Sequence, residues 1–97
     1  MPAYVIAETD IRDPEQYERY RAAAPATIAA GGGRYLARGG ELLVLEGNWH
    51  PKRLVVLQFE DLHAAKRWYD SPDYRKAREL REGAATLRIV AVEGPVT

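Results

Sequence analysis

The segment "RLVVLQFE", residues 53 to 60, is apolar in both of its alternating registers, with Val55, Leu57 and Phe59 on one side and Leu54 and Val56 on the other. Successive strand side chains point to opposite faces, so such a strand asks for cover on both. Two more stretches share the trait: Leu87, Ile89 and Ala91 stand against Val90 and Val92, and Ala3, Val5 and Ala7 against Tyr4 and Ile6. A chain of 97 residues cannot supply that cover alone. A domain of this size hides only about 60 to 65% of its unfolded surface, and without cysteine neither disulfides nor a Cys-based zinc site can staple its core. Leaving one sheet face wet would forgo several kcal/mol of a net stability of about 5 to 15 kcal/mol. The expectation is therefore a homodimer in which two sheets pack face to face.

The remaining elements follow from local signals. Ala3 to Thr9 is β-prone and ends at "DIRDPEQ", where Asp13 can cap a helix and Pro14 suits its first turn. Tyr17, Tyr20, Ala24 and Ile28 recur at helical spacing, but Pro25 should kink or restart that helix before "GGG" ends it. "RYLARGGELLVLEG" reads as one long strand bent at Gly39 and Gly40, with a two-residue hairpin turn as the alternative. Beyond the 53–60 strand, Asp61 caps a helix carrying Leu62, Ala65, Trp68 and Tyr69, Ser71 and Pro72 start a second segment, and residues 86–93 form the last strand. The order β-α-β-β-α-β predicts an α+β, ferredoxin-like arrangement, with an antiparallel sheet, both helices on one face, and one domain over residues 1–97.

Fourteen basic and fourteen acidic residues leave no net charge and no long-range attraction to nucleic acid or an anionic membrane. The N-terminus, "MPAYVIAETD", has no basic leader and turns acidic after a short apolar run, so a cytoplasmic chain without a membrane span is expected. His50 and His63 stand far apart with no ligand pattern, which argues against a metal site. The glycines of "GGGRYLARGG" follow a helix and precede a strand, the reverse of a dinucleotide fingerprint, and no cofactor is implied. The central strand also lacks the paired aromatics with which RNA-recognition modules stack bases.

Candidate chemistry gathers at three places. Ser71, the only serine, lacks a nucleophile elbow and reads as a helix cap for the backbone near Tyr74. Tyr74, Arg78 and Arg81 share a helix flank that could grip a carboxylate or phosphate, although Arg75 with Glu79 and Arg78 with Glu82 are also ordinary i,i+4 pairs. "EGNWHP" offers Glu46, Trp49 and His50, whose carboxylate and imidazole are the candidates for proton transfer, against the simpler reading of an exposed turn. Polar strand residues such as Arg38, Arg53 and Arg88 must either pair across protomers or form the polar end of an apolar pocket. The expected ligand contacts are Tyr20, Arg38, Trp49, Trp68, Tyr74 and Arg81.

The stretches "YVIAE", "YERYRAAAPATIAAGGGRYLARGG", "LEGNWHPKRLVVLQFED", "AAKRWYDSPDYRKARELR" and "VEGP" together resemble the bacterial family called domain of unknown function 1330, of the dimeric α/β-barrel superfamily. The resemblance implies a ferredoxin-like protomer, a homodimer whose sheets form a barrel, and no established activity. That superfamily also holds cofactor-independent monooxygenases, muconolactone isomerases, haem proteins and stress-response dimers, so fold does not choose a function. The readings carried forward are a dimeric binding or regulatory module for a small apolar molecule with one polar end, held between helices and sheet; a metal-free, cofactor-independent enzyme using His50 or Glu46; and a dimer with no small-molecule site.

Overall fold

In the computed structural model, which describes residues 1–95, alternation sorts the first strand as its pattern demands. Along β1 (Ala3–Ile11) the side chains of Ala3, Val5, Ala7 and Thr9 are buried, while Tyr4, Ile6 and Glu8 are half-buried on the other face. Asp13 caps α1 (Pro14–Ala30) by accepting from the Gln16 N–H at 3.1 Å, and the α1 face carrying Tyr17, Tyr20, Ala24 and Ile28 enters the core. The restart expected at Pro25 does not occur, since α1 is one helix through it. Proline removes the N–H that would meet the Arg21 carbonyl four residues earlier. Arg38 Nη2 donates to that oxygen instead, at 2.8 Å, so a side chain from the sheet supplies the missing bond.

β2 (Arg34–Arg38) is short, and the long bent strand is not formed. Gly39, at φ +71, turns the chain away after its N–H donates to the Leu54 carbonyl at 2.9 Å. Residues 40–53 then carry no strand, so Gly39 and Gly40 form neither a hairpin turn nor a bulge within a longer strand. The bulge lies at Leu36, between the pairs Tyr35↔Leu57 and Ala37↔Val56. The β-prone run Leu42 to Leu45 thus finds no ladder within this chain, and Leu43 and Leu45 stand 81% and 87% exposed.

β3 (Leu54–Phe59) leads to α2 (Leu62–Asp70), capped by Asp61, whose Oδ1 accepts from the Ala64 N–H at 2.7 Å. Ser71 then serves two helices. Its Oγ donates to the Trp68 carbonyl at 2.7 Å, closing α2, and accepts from the Tyr74 N–H at 3.2 Å, opening α3 (Pro72–Leu80). The cap expected of Ser71 is present, and its hydroxyl is fully engaged in structure.

With β4 (Ala85–Glu93) the sheet has the order β2-β3-β1-β4, every neighbouring pair antiparallel. This is an α+β, ferredoxin-like fold. Tyr17, Tyr20, Ala65, Trp68 and Tyr74 pack on Val5, Leu57 and Phe59 to make the core on one face. On the other face, register sets Val56, Ile6 and Val90 in one row across three strands, with Val92 beside Tyr4 in the next. Val90 is 62% exposed and Val92 50%, so this apolar row is open in the single chain. No described helix is long and apolar enough to cross a membrane.

Candidate ligand-binding site

Helical spacing brings Tyr20 of α1, Trp68 of α2 and Tyr74 of α3 to one point under the sheet. The Trp68 and Tyr74 ring centroids are 4.1 Å apart, and Phe59 lies 5.2 Å from Trp68 on the other side. Their polar atoms are satisfied: Trp68 Nε1 donates to Thr27 Oγ1 at 3.2 Å, and the Tyr20 and Tyr74 hydroxyls share a bond of 2.6 Å. Burial, reinforced by Tyr74, pushes the Tyr20 phenol far above its ordinary range, so it stays neutral.

Two spaces flank Trp68. Between α2 and β4 runs a cleft of about 590 Å³, walled by Leu62, Ala65 and Trp68 on one side and Leu87 and Ile89 on the other. That volume lies within the roughly 300 to 1,000 Å³ usual for small-molecule sites. Its charged lining residues are Lys66 and Arg81. The Arg81 guanidinium faces the Tyr20 ring at 5.1 Å, yet its Nε is buried without a hydrogen-bond partner. Burial works against the Arg81 cation, but the Tyr74 and Tyr20 hydroxyls more than offset this, and its pKa is raised. On the far side of Trp68 lies an inner cavity of about 30 Å³, lined among others by Thr9, Tyr20, Arg38, Arg53 and Tyr74. It is too small for a metabolite.

The expected contact residues are thus divided. Tyr20, Arg38, Trp68 and Tyr74 line the inner cavity, and Trp68 with Arg81 lines the larger cleft. Among the described residues the i,i+4 pairs Arg75–Glu79 and Arg78–Glu82 do not close as ion pairs; the Arg78 guanidinium lies instead over the Tyr69 ring at 4.2 Å. Lys66 and Tyr69, which residue chemistry alone did not single out, join the cleft because α2 turns them toward β4.

Glu46, Trp49 and His50 do not form a unit. Glu46 is exposed on the irregular segment and lines neither space. Trp49 Nε1 donates to Glu8 Oε2 at 3.0 Å, and Arg88 Nε donates to Glu8 Oε1 at 2.8 Å. His50 borders a separate polar cleft with Glu8, Asp10, Lys52 and Arg88. The Trp49 and Arg88 bonds hold the Glu8 carboxyl below its ordinary range. A carboxylate whose pKa falls on folding contributes stability above its unfolded value, and that contribution is lost as pH drops through the folded value. The change in tryptophan emission that follows protonation of Glu8, as Trp49 loses its acceptor, is therefore expected at a lower pH than an ordinary glutamate would give. In Glu8→Gln that acid transition should be missing; an unchanged transition would place its origin elsewhere.

A family profile described as a domain of unknown function, DUF1330, matches residues 2–95. No protein with a curated functional description matches the chain. Among solved structures, a protein of unknown function from Rhodopseudomonas palustris superposes with a TM-score of 0.76 at 20% identity, covering 99% of this chain and 84% of that one. A dimeric ferredoxin-like protein of unknown function from Thermobifida fusca gives 0.63 at 24% identity, covering 95% and 92%. SnoaB, a cofactor-independent oxygenase from Streptomyces nogalater, gives 0.66 at 14% identity, covering 99% and 95%.

Proposed function

Because the chain belongs to the DUF1330 family, whose description assigns no activity, we propose a function from its own geometry: a homodimeric binding protein for a small apolar molecule that carries one anionic group. The observation that carries this reading is the buried, unpartnered Arg81 Nε at the edge of an otherwise largely apolar cleft. A buried donor without an acceptor is costly, and a ligand carboxylate relieves that cost while its apolar body packs on Trp68, Leu62 and Ile89. The Tyr20 ring acts behind the site by packing against the guanidinium. The described lining of the cleft contains no carboxylate and no histidine, which favours binding over proton-transfer catalysis. The likeness to an oxygenase is a likeness of fold.

Homodimerisation through the open sheet face completes the proposal. The Val56–Ile6–Val90 row supports it, as do the exposed leucines of residues 42–45 and the dimeric description of the similar Thermobifida protein. A cysteine-free chain suits the reducing cytoplasm, where we place the dimer.

Titration calorimetry with matched pairs of aryl or alkyl carboxylates and their amides tests the ligand class. Carboxylates are expected to bind and their amides to bind more weakly, with Arg81→Gln lowering carboxylate affinity roughly 10- to 150-fold, the range for a hydrogen bond to a charged group. The exposed Arg75→Gln serves as control. Equal affinity for acid and amide, or an unaffected Arg81→Gln, would remove Arg81 from the site, and chemical change of a bound compound would make the protein an enzyme.

A further inference from the structure

We propose that the inner cavity is a site for a small monovalent anion of halide size, held by the Thr9 hydroxyl and the Arg53 guanidinium. Two residues with orphaned polar groups stand opposite each other, on β1 and just before β3, where the Thr9 N–H donates to the Arg53 carbonyl at 2.9 Å. Thr9 is 1% exposed and its Oγ1 has no hydrogen-bond partner, and the buried Arg53 Nε has none either. Both line the same cavity of about 30 Å³, room for one body near the size of a water molecule.

Charge favours an anion over water. Three arginines, Arg21, Arg38 and Arg53, line the cavity, and its described lining includes no aspartate or glutamate. Arg21 is ion-paired with Glu18 at 3.3 Å, and Arg38 is engaged with the Arg21 carbonyl. Arg53 has no acidic partner among the described residues. A partly buried cation without a counter-charge is expensive, and a water molecule leaves that charge uncompensated.

Arg53 is also held in position. Gly39 has φ +71, and a Cβ built on it would overlap Arg53 Nη1 and Cζ. The guanidinium is therefore packed directly on the glycine backbone, at the point where β2 ends. The same glycine that turns the chain admits the arginine to the cavity. The cavity shares the walls Val5, Trp68, Leu87 and Ile89 with the α2–β4 cleft, but Thr9 and Arg53 do not line the cleft and Arg81 does not line the cavity.

Thermal unfolding at constant ionic strength tests the site, with sodium methanesulfonate, whose anion is too bulky for the cavity, as reference salt. Replacing it by chloride or bromide should raise the midpoint of the wild-type protein, and Thr9→Val, which keeps the shape and removes only the hydroxyl, should lose most of that rise. Chloride NMR gives a second reading: the wild-type protein should broaden the chloride line, and Thr9→Val and Arg53→Met should not. A wild-type midpoint equal in all three salts, or a rise and broadening that persist in both variants, would overturn the proposal and leave a water-filled cavity.

Discussion

The double variant Val90→Asp, Val92→Asp is expected to sediment at the 10.9 kDa chain mass and the wild-type protein at twice that, with the far-ultraviolet circular dichroism of the two alike. Both valines are half or more exposed in the single chain, so a carboxylate at either position meets water and costs the protomer little. In a face-to-face dimer the same carboxylates would be buried on the apolar face that Val56 and Ile6 share with positions 90 and 92. An unpaired charge there is worth at least about 3 to 5 kcal/mol, which weakens association by roughly 10² to 10⁴. Exposure in one chain and burial in the pair are what give the variant its leverage: the fold is spared and only the assembly is lost. Sedimentation velocity at micromolar concentration reads both species, and a wild-type protein already at chain mass would end the dimer reading.

The same sheet shows where sequence reading succeeds and where it stops. Caps are local, and Asp13, Asp61 and Ser71 accept the helix N–H groups their spacing foretells. Alternation is nearly as local, so the buried face Val5, Leu57 and Phe59 is legible from the string. Pro25 misleads because its penalty is relieved from outside the helix, by Arg38 reaching back from β2 to the Arg21 carbonyl. Leu42 to Leu45 mislead for the opposite reason. Their strand propensity is real, but a strand also needs a neighbour to hydrogen-bond, and none lies alongside in one chain. For the site, residue type marked Trp68, Tyr74 and Arg81, yet only folding shows that Arg81 opens onto the cleft between α2 and β4 and that Glu8, not Glu46, receives Trp49. Arg53 reads in the sequence only as one polar strand residue among several and Thr9 carries no signal at all, since what distinguishes both is the lack of a partner.

Truncation of Trp68 to alanine should be the most destabilising single change in the molecule, about 3 to 5 kcal/mol. The indole is buried among the helices, against the rings of Phe59 and Tyr74. The loss is one of packing more than of polarity, because Thr27 Oγ1 keeps its own bond to the Ala24 carbonyl at 2.8 Å when the indole N–H is gone. Against a typical net stability of about 5 to 15 kcal/mol, such a cost brings the protein close to unfolding, and for a domain of this size it lowers the midpoint by roughly 12 to 40 °C. Trp68→Phe keeps a ring against Tyr74 and should cost much less. Urea unfolding of the three proteins at one chain concentration makes the comparison fair, since dimer formation would itself add to apparent stability. A cost below about 1 kcal/mol for Trp68→Ala would mean that its neighbours collapse into the space, and would dissolve the wall separating cleft from inner cavity. With the cost at the expected size, the cleft cannot be enlarged by truncating Trp68 without a heavy loss of stability, so the proposed ligand preference is best tested at the more exposed Leu62, Lys66 and Tyr69.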